Sequence, residues 1–181
     1  MLGYNTIMHS CDTVLAAMII GGTHPQDDLL KRFKSGCDHK EATQLLEKTS
    51  HFHDIKSILT EDGQTLLHIA SSSMTVSTVK LLIEQYRLDP SAQDKRGNTP
   101  LHLACSKHNA KTALFLINLL SCDPNIKNSD GDTAVHIVLS KGNYSLGRRL
   151  CESVRVDQQV ANKHGNTAQM LLNCELQPKG K

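Results

Sequence analysis

Three histidines, His68, His102 and His136, recur at an interval of 34 residues, and His102 stands one helical turn before Cys105. An imidazole and a thiol side by side on a helix could serve as general base and nucleophile, the pairing that acyl transfer uses. A nucleophilic pair, however, is one constellation in one cleft. Here the His recurs in three copies while the Cys position becomes Ser71 and Leu139 in the others. That pattern favours a structural role, a His hydrogen-bonded near the start of a helix in each copy. Cys37 and His39, with His51 and His53 eleven residues further on, offer four zinc-ligand types at an interval near that of finger sites. Residues at i and i+2 share a face only in extended chain, and Asp38 opens a predicted helix, so solvated or capping histidines are the better reading. The chain has no phosphate-binding G-x-x-x-x-G-K-[ST], no dinucleotide G-x-G-x-x-G, no G-x-S-x-G and no H-E-x-x-H. The sequence therefore points away from an enzyme and implies neither catalytic nor metal site, no cofactor and no small-molecule substrate.

What positions these residues must be built from aliphatic side chains. Of 181 residues, 39% are apolar, only 3% are aromatic and none is Trp. A chain of this length buries a core without disulfide or metal staples. Its net charge of +2 and scarce aromatics exclude a nucleic-acid binder, which needs a basic excess or stacking platforms. Six cysteines lie far apart with no C-x-x-C, the pattern of reduced thiols in the cytoplasm or, alternatively, the nucleus. The longest apolar run, Val14 to Ile20, is seven residues where a membrane span needs about twenty. Residues 1–12 hold no Lys or Arg, which argues against a secretion signal, and residues 10–20 are predicted to form an amphipathic helix.

The 34-residue interval extends well beyond the histidines. Gly63, Gly97, Gly131 and Gly165 keep it, as do Thr65, Thr99, Thr133 and Thr167, the apolar column Ile58, Ala92, Ile126 and Val160, and Asp89, Asp123 and Asp157. Local chemistry explains the columns. Asp94 to Gly97 has the first and last residues of a type I turn, and Asn128 to Gly131 and Asn162 to Gly165 repeat it. Thr99 then reads as a helix N-cap with Pro100 in the first turn, and Thr65, Thr133 and Thr167 take the same role. Leu101, Leu103 and Ala104 supply one apolar face; Ala113, Leu116, Ile117 and Leu120 supply a second after the polar stretch Ser106 to Asn109. Each unit is turn, helix, helix.

The stretch Asp94-Lys95-Arg96-Gly97-Asn98-Thr99-Pro100-Leu101-His102-Leu103-Ala104 resembles the ankyrin-repeat signature, and Gly63 to Ala70 and Gly131 to Ile137 are weaker copies. The resemblance covers residues 61–176, about three and a half units. It implies an all-α solenoid of stacked antiparallel helix pairs with projecting β-hairpin or turn tips. The chain departs from the family in its period, 34 against the usual 33, and in lacking the glycine that ends the second helix, where Tyr86, Leu120 and Val154 stand. Val138 and Leu172 occupy positions held by Ala70 and Ala104, which predicts that the third and fourth units are splayed or repacked.

The expected organisation is a covering helix or flexible lead over 1–24, a degenerate ankyrin-like capping unit over 25–60, repeats over 61–94, 95–128 and 129–162, a half repeat over 163–176 and a polar tail over 177–181. The resemblance further implies a non-catalytic scaffold or adaptor that binds a protein partner through the tips and the adjoining concave helix face. Those positions are Glu61, Asp62 and Gln64; Lys95, Arg96 and Asn98; Ser129, Asp130 and Asp132; Lys163, His164 and Asn166; with Lys107 and Lys141 on the helix side. Tips alternate in charge, which suits a protein partner of mixed charge and disfavours a uniform polyanion or a membrane. The chain is expected to act as a monomer. The alternative is a repeat segment of a larger multidomain signalling protein.

Overall fold

The computed structural model describes residues 25–50 and 54–176; the predicted helix within 1–24, the tail and the histidines at 51 and 53 lie outside them. Among the described residues the chain forms α1 (Pro25–Ser35) and α2 (His39–Ser50), a 3-10 turn (Ile55–Ser57), α3 (Leu66–Ser73) and α4 (Val76–Glu84), α5 (Pro100–Ser106) and α6 (Ala110–Ile117), α7 (Ala134–Ser140) and α8 (Tyr144–Cys151), and α9 (Ala168–Leu176). Consecutive helices pair across short links, which makes them antiparallel neighbours. The pairs then stack in two rows: α1, α3, α5, α7 and α9 form the inner row, and α2, α4, α6 and α8 the outer one. None of these helices is long and apolar enough to cross a membrane.

Helices this short are marginal alone and depend on capping and packing. Thr65, Thr99 and Thr133 are extended and precede the inner helices, and the His three places on reaches back to each Thr N–H. Asn109 and Asn143 cap the outer helices, their side-chain oxygens accepting from Thr112 and Leu146 N–H. Between inner and outer helices the chain reverses through a left-handed residue, His108 (φ 59°) in one unit and Gly142 (φ 76°) in the next. The following N–H then closes onto the inner helix, Asn109 to the Ala104 carbonyl and Asn143 to that of Val138.

Between the rows lies an aliphatic core in which Leu66, Leu67, Leu101, Leu116 and Leu150 are fully enclosed, each contributing about 1.5–3 kcal/mol of burial. Val138 is fully buried as well. The third unit absorbs the extra bulk of α7 by a trade across the pair: Gly147 on α8 sits against Leu139, so close that a Cβ there would lie 2.3 Å from Leu139 Cδ2. In the 34-residue register the inner column runs Ser71, Cys105, Leu139 and the outer one Val79, Ala113, Gly147. One grows as the other shrinks.

The missing helix-ending glycine has two substitutes. Arg87 adopts the left-handed conformation itself (φ 55°). After α6 the solution comes from the next unit, where the Arg155 guanidinium donates to the carbonyls of Ile117 (3.2 Å), Leu119, Leu120 (3.2 Å) and Cys122 (2.5 Å). One planar fork thereby gathers four carbonyls at and just beyond the end of α6, of which that of Leu119 also accepts the Cys122 N–H. Leu120 and Val154, in register with Tyr86 where that glycine is missing, are exposed.

The projecting tips are not β-hairpins. Among the described residues there is no β-strand, and each tip is a closed turn. Asp94 N–H donates to the Asn98 carbonyl (2.9 Å) and Gly97 N–H to the Asp94 carbonyl (2.9 Å); 128–132 and 162–166 repeat both bonds. A ladder has no room to grow, because the return arm is a single residue before the threonine that caps the next helix. Among the described residues two isolated bridges form, Leu59 with Thr65 and Ala161 with Thr167.

Candidate protein-binding surface

Each tip is stiffened from within. The side-chain oxygen of Asp94 accepts from Arg96 N–H (2.9 Å) and Asn98 N–H (2.8 Å). Asn128 and Asn162 bond the equivalent N–H groups at 3.0 Å. Gly97 at φ 72° passes the chain left-handed, and its α-carbon lies so near the backbone of Asn128 and Ser129 that a Cβ would stand 3.1 Å from it.

Neighbouring tips are bonded to one another. Lys95 N–H donates to the Asp62 carbonyl (2.9 Å) and Ser129 N–H to that of Arg96 (2.8 Å). Side chains add a second seam, in which Gln64 Nε2 reaches Asp94 (3.5 Å), Asn128 Nδ2 donates to Asn98 Oδ1 (3.0 Å) and Asn162 Nδ2 donates to Asp132 Oδ1 (2.7 Å).

The repeated histidines complete the framework. His68 Nε2 bonds the Asn98 carbonyl (2.9 Å), His102 Nε2 the Asp132 carbonyl (3.0 Å) and His136 Nε2 the Asn166 carbonyl (2.9 Å). A carbonyl only accepts, so Nε2 carries the proton, and Nδ1 of each ring accepts the N–H of its capping Thr at 3.1–3.2 Å. Burial pushes His68 and His102 below the ordinary value, which favours the neutral form of these two rings. Every ring nitrogen is committed to backbone.

These bonds divide the fourteen positions singled out in the sequence. Gln64, Asn98 and Asp132 belong to the seam between tips, and the Asn166 carbonyl holds His136. Lys163 Nζ donates to the Ser129 carbonyl, so this lysine clips two tips together. Glu61, Asp62, Lys95, Arg96, Asp130 and His164 are exposed and line the outer edge, as does the Ser129 side chain. Lys107 and Lys141 follow the C-terminal ends of the inner helices α5 and α7, at the far side of the concave face from the tips. Lys141 Nζ donates to Ser106, to its carbonyl at 2.7 Å and its hydroxyl at 3.0 Å.

The floor of the concave face escaped the sequence reading. Leu103 and Ile137 line a hollow of ≈ 270 Å³ beside Arg96, and Ser72 and Ser73 line a second of ≈ 350 Å³ between Lys34 and Lys107. The signal was present in the same register, as an apolar column Ile69, Leu103, Ile137 and a hydroxyl column Ser72, Ser106, Ser140.

The family description "Ankyrin repeats (3 copies)" matches residues 26–127, more than half of the chain. The chain belongs to the ankyrin-repeat family. This ankyrin match takes in the first helix pair, whose sequence carries no Thr-Pro-Leu-His, and ends before α7, although the helix pairs and the register continue. A comparison with curated proteins returned no match. Membership makes the chain a protein–protein interaction module. The imidazoles are spent on capping, and burial pushes the Cys105 thiol far up and that of Cys122 up to about 11, the opposite of an activated nucleophile. Among the described residues no group of three or more His, Cys, Asp or Glu side chains could hold a metal ion.

Proposed function

We propose that this ankyrin module is a scaffold or adaptor that binds a protein partner of mixed charge through its tips and the concave face of its inner helices. The observation that carries the reading is the division of labour along the tips. Amide and carboxylate side chains at their base are consumed in bonds between units, while acidic Glu61, Asp62 and Asp130 and basic Lys95 and Arg96 remain exposed at the edge. A rigid comb of alternating sign rewards a partner with the complementary order and repels one of uniform charge. Four tips and the adjoining helices offer roughly the 800 Å² per partner of a standard interface. The four free thiols at Cys37, Cys105, Cys122 and Cys151 support a reducing compartment, the cytoplasm. We take the acting species to be a monomer.

Affinity capture with the intact chain and with a variant reversed at all four tips (Glu61→Lys, Lys95→Glu with Arg96→Glu, Asp130→Lys, His164→Glu) tests the reading. A partner held by the intact chain should be lost by the variant, and Lys95→Glu with Arg96→Glu alone should weaken binding by about 2 kcal/mol or more if these residues lie at the centre. Equal affinity for both proteins refutes the surface.

A further inference from the structure

The concave face is not electrically neutral along its width. The inner helices α3, α5 and α7 contain no Asp or Glu, and neither do α6 and α8 behind them. Carboxylates of the second and third units are confined to the tips and to the links that follow the outer helices. At the edge of the concave face farthest from the tips the only charged groups of these units are lysines.

The hollow of ≈ 350 Å³ over the end of α3 concentrates this asymmetry. Lys34, from the unit before, and Lys107, from the unit after, stand on its two sides, with Ser72 and Ser73 between them and no carboxylate in its lining. Neither ammonium has an ion pair or side-chain hydrogen bond among the described residues, whereas Arg32 and Lys80 nearby are both paired with acids. The two hydroxyls both donate to the Ile69 carbonyl, at 2.8 and 3.1 Å, so either can turn toward a ligand and leave that carbonyl bonded. One unit along, the lysine at the equivalent position, Lys141, is drawn onto Ser106. Lys107 and Lys141 are related by the 34-residue register, as are Ser72 and Ser106. An ammonium has three N–H donors, and Lys141 spends two on Ser106.

We infer that the lysine and serine edge of the concave face is a recognition site for carboxylates, and that the segment lying in the groove is an acidic peptide whose Asp or Glu side chains fall one repeat apart. Adjacent packed helices stand about 8–10 Å apart, so the two carboxylates are separated by that distance, about three residues of extended chain. Leu103 and Ile137 meet the apolar residues of the segment, and the seam of amides and carboxylates at the base of the tips, Asp94 and Asp132 among them, bounds its other side and keeps the acids of the peptide at the lysine edge. The inference rests on the concave-face reading above and specifies which chemistry that face selects.

A phage-displayed library of random twelve-residue peptides, panned against the whole chain, tests it. Peptides selected by the wild type should carry two acidic residues. Replacing these by Asn or Gln should weaken binding at least tenfold, as should Lys34→Glu with Lys107→Glu, a pair of exposed positions that leaves the core untouched. The charge-reversed chain should select Lys or Arg at the same places. Leu103→Asn, and Arg96→Ala as a variant that disturbs no helix, report on the groove itself. Peptides that depend on Leu103 or Arg96 but carry no paired acids overturn the carboxylate site and leave the concave-face reading standing. Peptides indifferent to all of these substitutions overturn both, and a selection that enriches no acidic pair overturns the inference.

Discussion

Replacing Gly147 by Ala should destabilise the chain although Ala is the better helix former. The added Cβ would stand 2.3 Å from Leu139 Cδ2, 3.0 Å from its Cγ and 3.6 Å from Val138 Cγ1. Carbon atoms in contact prefer about 3.5–4.0 Å, so Leu139 must retreat by more than 1 Å. It has nowhere to go, being 2% exposed and packed in the core beside fully buried Val138. Overpacking of this kind costs about 1–3 kcal/mol, against a helix-propensity gain of at most about 1 kcal/mol. The expected net loss is up to about 2 kcal/mol after the full propensity gain is subtracted, read as a lower urea midpoint at unchanged m-value. The second unit supplies the internal control, since Cys105 and Ala113 occupy the same two positions there. Leu139→Cys alone opens a cavity, and adding Gly147→Ala to it should then be favourable, giving a coupling energy above about 1 kcal/mol in a double-mutant cycle. A Gly147→Ala chain as stable as wild type, or additive effects of the two substitutions, would mean that α7 and α8 separate freely and that no volume trade exists.

Three further outcomes follow from the same geometry. His68 and His102 are held below their ordinary pKa of 6.5, so the unfolded chain binds more protons just below that pH; their contribution is intact above pH 6.5 and shrinks as pH falls toward the folded values, by up to about 1.4 kcal/mol per pH unit for each ring. Urea midpoints should therefore drop between pH 7.5 and 5.5, and a flat profile contradicts the neutral tautomer assigned to the rings. Arg155→Ala removes the donor to four carbonyls and should cost about 2 kcal/mol, with Arg155→Lys recovering little because an ammonium lacks the planar fork; full rescue by Lys would show that charge alone matters. Gly131 and Gly165 share a left-handed backbone, at φ 78° and 76°, but a Cβ at Gly131 would meet Lys163 N at 2.8 Å while Gly165 has open space. Both changes to Ala bear the conformational penalty of about 1 kcal/mol, and thermal unfolding should show a clearly larger loss for Gly131→Ala; equal losses would deny that the tips are packed against one another.

What the sequence disclosed and what it withheld divide along a physical line. The register of Gly, Thr and His was legible because each residue answers a local demand of the backbone: a left-handed turn, an N-cap, a partner for the cap N–H. Local demands repeat with the unit, so they print a period. The β-hairpin that the family resemblance implied did not form, because turn chemistry fixes how the chain reverses and says nothing of how many residues remain to pair before Thr99 starts a helix. Arg155 was invisible for a different reason. It satisfies carbonyls of the preceding unit in place of a missing glycine, and no column announces it, since the register puts Ser121 and Arg87 there. Leu103, Ile137, Ser72 and Ser106 do form columns, yet a half-buried apolar residue or a serine on a helix reads as packing or solvation until the stack shows which side is concave. The exposed tip charges could be picked from the sequence, while the groove beneath them needed the relative placement of helices contributed by three separate units. Binding surfaces of a solenoid arise between copies, and a period describes only what each copy does for itself.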